Sequence, residues 1–114
     1  MAKFKDYRIE DTEALCRVGK ALASEERIEI LKLLYEDGMI IGEIAKKMGL
    51  PASSASFHLK ILEQAGLVRI EEQPGTRGTT KLCSRKVDHI TLDMVKRNPD
   101  VDEVFSAEMP VGAY

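Results

Sequence analysis

Tryptophan is absent from the 114 residues and aromatic side chains make up only 5% of them, so any core has to be assembled from Leu, Ile, Val, Ala and Met. Cysteine is scarce as well. Cys16 and Cys83 stand far apart with no Cys or His beside them at zinc-site spacing, which argues against a disulfide scaffold or structural zinc and predicts two small buried hydrophobes. No apolar run approaches the roughly 18 to 20 residues a bilayer span requires, and the opening MAKFKDYRIED lacks the apolar middle of a signal peptide. A membrane role is therefore not expected, and the cytoplasm is the expected compartment. Also missing are a phosphate-binding glycine loop, a metal triad and a nucleophile with a recognisable base. Ser53 and His58, five positions apart on one helix, fall on nearly opposite faces and cannot form a catalytic pair. The chain is expected to be no enzyme and to need no cofactor.

What is present is 44% hydrophobic and 32% charged residues, the balance of a soluble, helix-rich domain. The length suits one domain. A net charge of −2 at first argues against a nucleic-acid partner, but its distribution does not. Gly42 to Lys86 holds eight basic and four acidic residues, so a locally basic module lies between acidic ends.

Leu15, Val18 and Leu22 recur at helical spacing after Asp11 and Thr12, predicting a first helix over 12–22. Ser24 is placed to cap a second helix that opens on Glu25 and Glu26, buries Ile28, Leu31, Leu34 and Tyr35, and ends at Gly38. Ile41, Ile44, Ala45 and Met48 define a short third helix closed by Gly49. A fourth runs from Pro51 to Ala65, so two helices joined by a tight turn form a helix-turn-helix candidate. Beyond Gly66 the pattern alternates: Leu67–Ile70 and Thr79–Cys83 are expected as a hairpin around a long flexible tip, 74–78. Val87, Ile90, Met94 and Val95 predict a last helix over 86–97. The expected fold is mainly α with a small β-hairpin, a winged helix-turn-helix in the order helix, helix, helix, helix, hairpin, helix. Residues 1–97 are expected to form the domain and 98–114 an acidic tail, a candidate linker to a missing region.

On the fourth helix Ala55, His58, Leu59, Leu62 and Ala65 share one side, whereas Ser53, Ser56, Phe57, Lys60 and Gln64 share the other. Small hydroxyls let a backbone come close to a major groove and bond phosphates or base edges, Lys60 neutralises phosphate or reaches a guanine, and Phe57 meets thymine methyls. Serines at a helix start also serve as caps, and an outward Phe also suits a subunit contact. Thr76 and Arg77 in the hairpin tip are placed to reach a phosphate or an adjacent minor groove.

Residues 15–94 resemble the ArsR-type winged-helix repressors. The resemblance rests on Ala21–Leu31 (ALASEERIEIL), on Ile44–Leu50 (IAKKMGL) and on Ser53–Val68 (SSASFHLKILEQAGLV), with the His-Leu-Lys step and the Ala-Gly-Leu-Val ending most telling. It implies a homodimer paired through its first and last helices, a palindromic double-stranded DNA operator, and release by an inducer, whether small molecule or redox, that no residue here identifies. It adds Ser54 to the DNA-binding set of Ser53, Ser56, Phe57, Lys60, Gln64, Thr76 and Arg77. It makes Leu15, Val18, Leu22, Val87, Ile90 and Met94 the dimer interface. Metal-sensing members often carry Cys pairs in the third helix; here Met39–Ile44 (MIIGEI) has no thiol, which rules out a soft-metal site there. Asp88, His89 and Asp93 sit where another family site lies, without the second His, and read as a surface pair. Cys16 and Cys83 would be a redox switch only if the fold joined them. The competing reading is a winged-helix protein-docking module anchored by Phe57.

Overall fold

The computed structural model describes residues 3–34, 38–75 and 78–95. Their elements run β1 (Phe4–Arg8), α1 (Thr12–Leu22), α2 (Glu25–Leu33), β2 (Met39–Ile40), α3 (Ile41–Met48), α4 (Ala52–Gln64), β3 (Val68–Gly75), β4 (Gly78–Arg85) and β5 (His89–Asp93). Four helices and a hairpin therefore stand where the periodicity placed them.

Local chemistry explains most of the boundaries. Ser24 caps α2, its Oγ accepting from the Arg27 N–H at 3.3 Å. Asp11 precedes α1 without capping it; its carboxylate accepts instead from the Arg8 N–H at 2.9 Å, which turns the chain from β1 into the helix. Gly49 adopts φ +68° beyond α3, and the Leu50 N–H returns to the Ala45 carbonyl at 2.9 Å, closing the tight turn that aims α4. Gly38 has φ +90°, and a Cβ there would lie 2.7 Å from the Cys83 carbonyl oxygen. That close approach lets Met39 and Ile40 pair with Cys83 and Leu82, adding β2 to the wing in the order β2-β4-β3.

Four expectations need correction. The buried face of α2 is Ile30, continued by Leu34, whereas Ile28 is exposed; Tyr35 lies outside the described residues. The hairpin has no long tip. Its ladder continues from Val68↔Arg85 through Pro74↔Thr79 to Gly75↔Gly78, so that only Thr76 and Arg77, which lie outside the described residues, intervene. Pro74 is tolerated because β3 is an edge strand, where a missing N–H costs no ladder bond.

The third correction concerns the last element, which is a strand and not a helix. β5 pairs parallel with β1, in register from Phe4↔His89 to Arg8↔Asp93. The Asp88 and His89 N–H groups both donate to the Lys3 carbonyl, at 2.8 and 3.0 Å, and Asp88 accepts from the Lys3 N–H at 2.9 Å. That last bond, with Arg85 beside it, holds the Asp88 carboxyl below the usual carboxylate range. Within so short a segment Ile90 and Leu92 fit a period of two as well as Ile90 and Met94 fit a helix, and the deciding partner, β1, is distant in the chain. The expected tail, 98–114, lies outside the described residues.

The core joins Val18 and Ala21 of α1, Ile30 and Leu34 of the α2 region, Ile44 of α3, Leu59 and Leu62 of α4, and Val68 and Cys83 of the wing, with Tyr7 of β1 at its margin. Cys83 is wholly buried, and its thiol is pushed up to about 11, first by burial and then by the negative charge of Glu63, with Lys81 pulling weakly the other way. Cys16 is exposed, which is the fourth correction, because an amphipathic helix has room for it outside the Leu15 and Val18 stripe. The thiolate is the reacting species, so at pH 8 Ellman's reagent should modify Cys16 rapidly and Cys83 only on unfolding. Equal rates for both thiols in the native protein would contradict the burial of Cys83.

Candidate nucleic-acid interface

The α4 helix divides as its sequence demands. Ala55, Leu59, Ile61 and Leu62 are buried, His58 and Ser54 are half-buried, and Ser53, Ser56, Lys60 and Gln64 are exposed. Phe57 is 61% exposed, with its ring edge-on to His58 at 5.6 Å between centroids. The residue before the helix is Pro51, which has no side-chain acceptor, and no side chain caps the start. The serines are therefore not N-caps; the Ser54 and Ala55 N–H groups donate to the Pro51 carbonyl at 3.0 and 3.1 Å, so the Ala52 and Ser53 N–H groups are the ones placed to meet an anion.

A groove of about 420 Å³ lies between α4 and the wing, lined by Ile41, Ser56, Phe57, Lys60, Glu63, Ile70, Glu72 and Lys81. Lys60 from the helix and Lys81 from β4 bring positive charge to it, while Glu63 and Glu72 confine the field that a phosphate would meet. Thr76 and Arg77 lie outside the described residues, although the ladder carries the hairpin up to their flanking glycines.

The orientation of α4 depends on a residue that sequence reasoning passed over. Arg27 is only 8% exposed although it follows two exposed glutamates. Its Nε donates to the Ala21 carbonyl at 3.0 Å and its Nη2 to the Lys20 carbonyl at 2.9 Å, satisfying the open end of α1. Its Nη1 lies 3.0 Å from His58 Nδ1. A guanidinium only donates, so Nδ1 is the acceptor and the imidazole proton sits on Nε2. One cation thus ties α1, α2 and α4 together. The available signal was a basic residue in the first turn of a helix, where the macrodipole disfavours it.

Of the six residues expected at a dimer interface, Val18 belongs to the core and Leu15, Leu22 and Val87 pack against it, whereas Ile90 and Met94 are exposed on and after β5. Asp88, His89 and Asp93 have other partners: Lys3 and Arg85 for Asp88, the Phe4 ring for His89, and the Val95 N–H for Asp93. Among the described residues no three His, Cys, Asp or Glu side chains come together, and no helix is long and apolar enough to cross a membrane.

A helix-turn-helix whose second helix exposes hydroxyls, a lysine and an aromatic beside a three-stranded wing defines a winged-helix domain of the DNA-binding class. Comparison with known proteins agrees. Residues 22–71 match the model of a helix-turn-helix domain family. The chain is 30% identical over 76 residues to the HTH-type transcriptional regulator YceK of Bacillus subtilis, covering 65% of this chain and 76% of that one. It is 34% identical over 91 residues to the regulator KmtR of Mycobacterium tuberculosis, covering 80% of this chain and 62% of KmtR. Among solved structures, a homodimeric winged helix-turn-helix DNA-binding domain from Mycobacterium bovis superposes with a TM-score of 0.58 at 28% identity, over 83% of this chain and 74% of that one. The chain belongs to the ArsR-type family of winged helix-turn-helix transcriptional regulators. It is a regulator of that class and not an enzyme.

Proposed function

We propose that the protein binds a palindromic double-stranded DNA operator in the cytoplasm as a homodimer and represses transcription there, each protomer placing α4 in the major groove. Residues 1–97 would form the whole binding and pairing unit. The observation that carries this reading is the joint exposure of Ser53, Ser56, Phe57 and Lys60 on a helix whose opposite side is core. Ser54, Gln64, Thr76 and Arg77 complete the contact set. Half-site centres should stand about one helical turn, roughly 34 Å, apart.

The test is selection from a random duplex pool followed by titration of the selected site across salt concentrations. Affinity should fall steeply with salt, and Lys60→Ala should lower the slope of log affinity against log salt by about one per protomer, as should Arg77→Ala. Slopes unchanged in both variants would remove α4 and the wing from the groove. The exposure of Phe57 also suits a protein-docking module, which would show no selected palindrome and little salt dependence.

A further inference from the structure

Among the described residues the last element is the strand β5, at the place where the family resemblance puts a helix for dimer contact. β1 and β5 form a sheet of only two parallel strands. Two-stranded sheets are marginal alone, and parallel ones are normally covered on both faces. Here Phe4, Ile90 and Leu92 remain substantially exposed, and among the described residues no strand pairs with the second edge of β5.

We propose that β5 is the dimerisation strand, pairing antiparallel with β5 of a second copy about a two-fold axis through Thr91 and merging the two small sheets into one. The inference rests on the homodimer reading above and specifies its surface. Backbone direction supports it first. The His89 N–H and the Asp93 carbonyl both face β1, bonding Lys3 and Ile9. Peptide groups alternate sides along a strand, so those of Ile90 and Leu92 face the open edge. In the proposed register Ile90 exchanges N–H and C=O with the partner's Leu92, and Leu92 with the partner's Ile90, forming hydrogen-bonded pairs on either side of the axis.

Side-chain chemistry supports it second, because His-Ile-Thr-Leu-Asp is complementary to its own reverse. His89 comes opposite the partner's Asp93, Ile90 opposite the partner's Leu92, and Thr91 opposite the partner's Thr91. These are an opposite-charge pair once the imidazole is protonated, an apolar pair and a hydroxyl pair, each favourable across strands. The free edge of β1 is a poorer partner. Phe4–Arg8 carries Lys5, Asp6 and Arg8, the charged pattern that guards edges, and its centred register would oppose Asp6 to the partner's Asp6.

The experiment is disulfide trapping in the full chain with Cys16→Ser as background, Cys83 being buried. Thr91 pairs on the axis without backbone bonds, at a Cα separation of about 4.5 Å, which a disulfide spans. Thr91→Cys should therefore give a covalent dimer under mild oxidation, and Asp6→Cys, on β1, should not. Thr91→Lys, which opposes two lysines at an exposed site, should raise the dimer dissociation constant about tenfold by sedimentation. A dimer by sedimentation in which Thr91→Cys stays uncrosslinked, or Asp6→Cys crosslinks instead, overturns the strand pairing and leaves the homodimer reading intact. A monomer at every concentration, binding its operator as such, overturns both.

Discussion

Replacing Arg27 by Ala should cost about 3 kcal/mol of folding stability, and with it much of the DNA affinity. Its guanidinium answers the Lys20 and Ala21 carbonyls at the end of α1 and His58 on α4, all within 3.0 Å. Removing it strands these acceptors where water enters poorly, and a hydrogen bond to a charged group contributes roughly 1.5 to 3 kcal/mol. Domains of this size are stable by only about 5 to 15 kcal/mol, so the melting temperature should fall by more than about 10 °C. Arg27→Lys should lose most of the same stability, because an ammonium is a point donor and cannot hold the planar fork that reaches three acceptors. Thermal melting of both variants is the check; a wild-type melting temperature for Arg27→Ala would mean that the contacts contribute nothing.

Ser53→Glu should separate folding from binding. Ser53 is exposed in the first turn of α4, where an acidic side chain complements the helix dipole, so stability should hold or rise by about 0.3 to 1 kcal/mol. In the proposed complex the same carboxylate faces phosphate from each protomer, and affinity for the selected duplex should fall by about a hundredfold or more. A folded Ser53→Glu protein that binds as tightly as wild type would place the first turn of α4 away from the duplex.

The helices were legible because each carries its own instruction. Ser24 before two glutamates, Gly49 after Met48, and the spacing of Ala55, Leu59 and Leu62 act within a few residues, and the structure repeats them. The exposed set on α4 followed from the same wheel, since a helix with one apolar side has no choice of which side to bury. Arg27 was hidden because its partners lie six, seven and thirty-one positions away, and its place in the first turn, the one local signal, does not name the acceptors that bury it. The expected dimer set is less legible for a related reason: an apolar stripe shows that a surface must be covered, without saying whether the protomer covers it, as it does Val18, or leaves it open, as it does Ile90.

The amino-acid order alone determined four helices, a hairpin and the outward face of α4, because these depend on periodicity and on end groups a turn away. Only the tertiary structure decided that 89–93 is extended, that β2 joins the wing and that Arg27 knots three helices. Each of those outcomes depends on a partner brought from far along the chain, and a strand or a buried charge is stable only once its partner is in place.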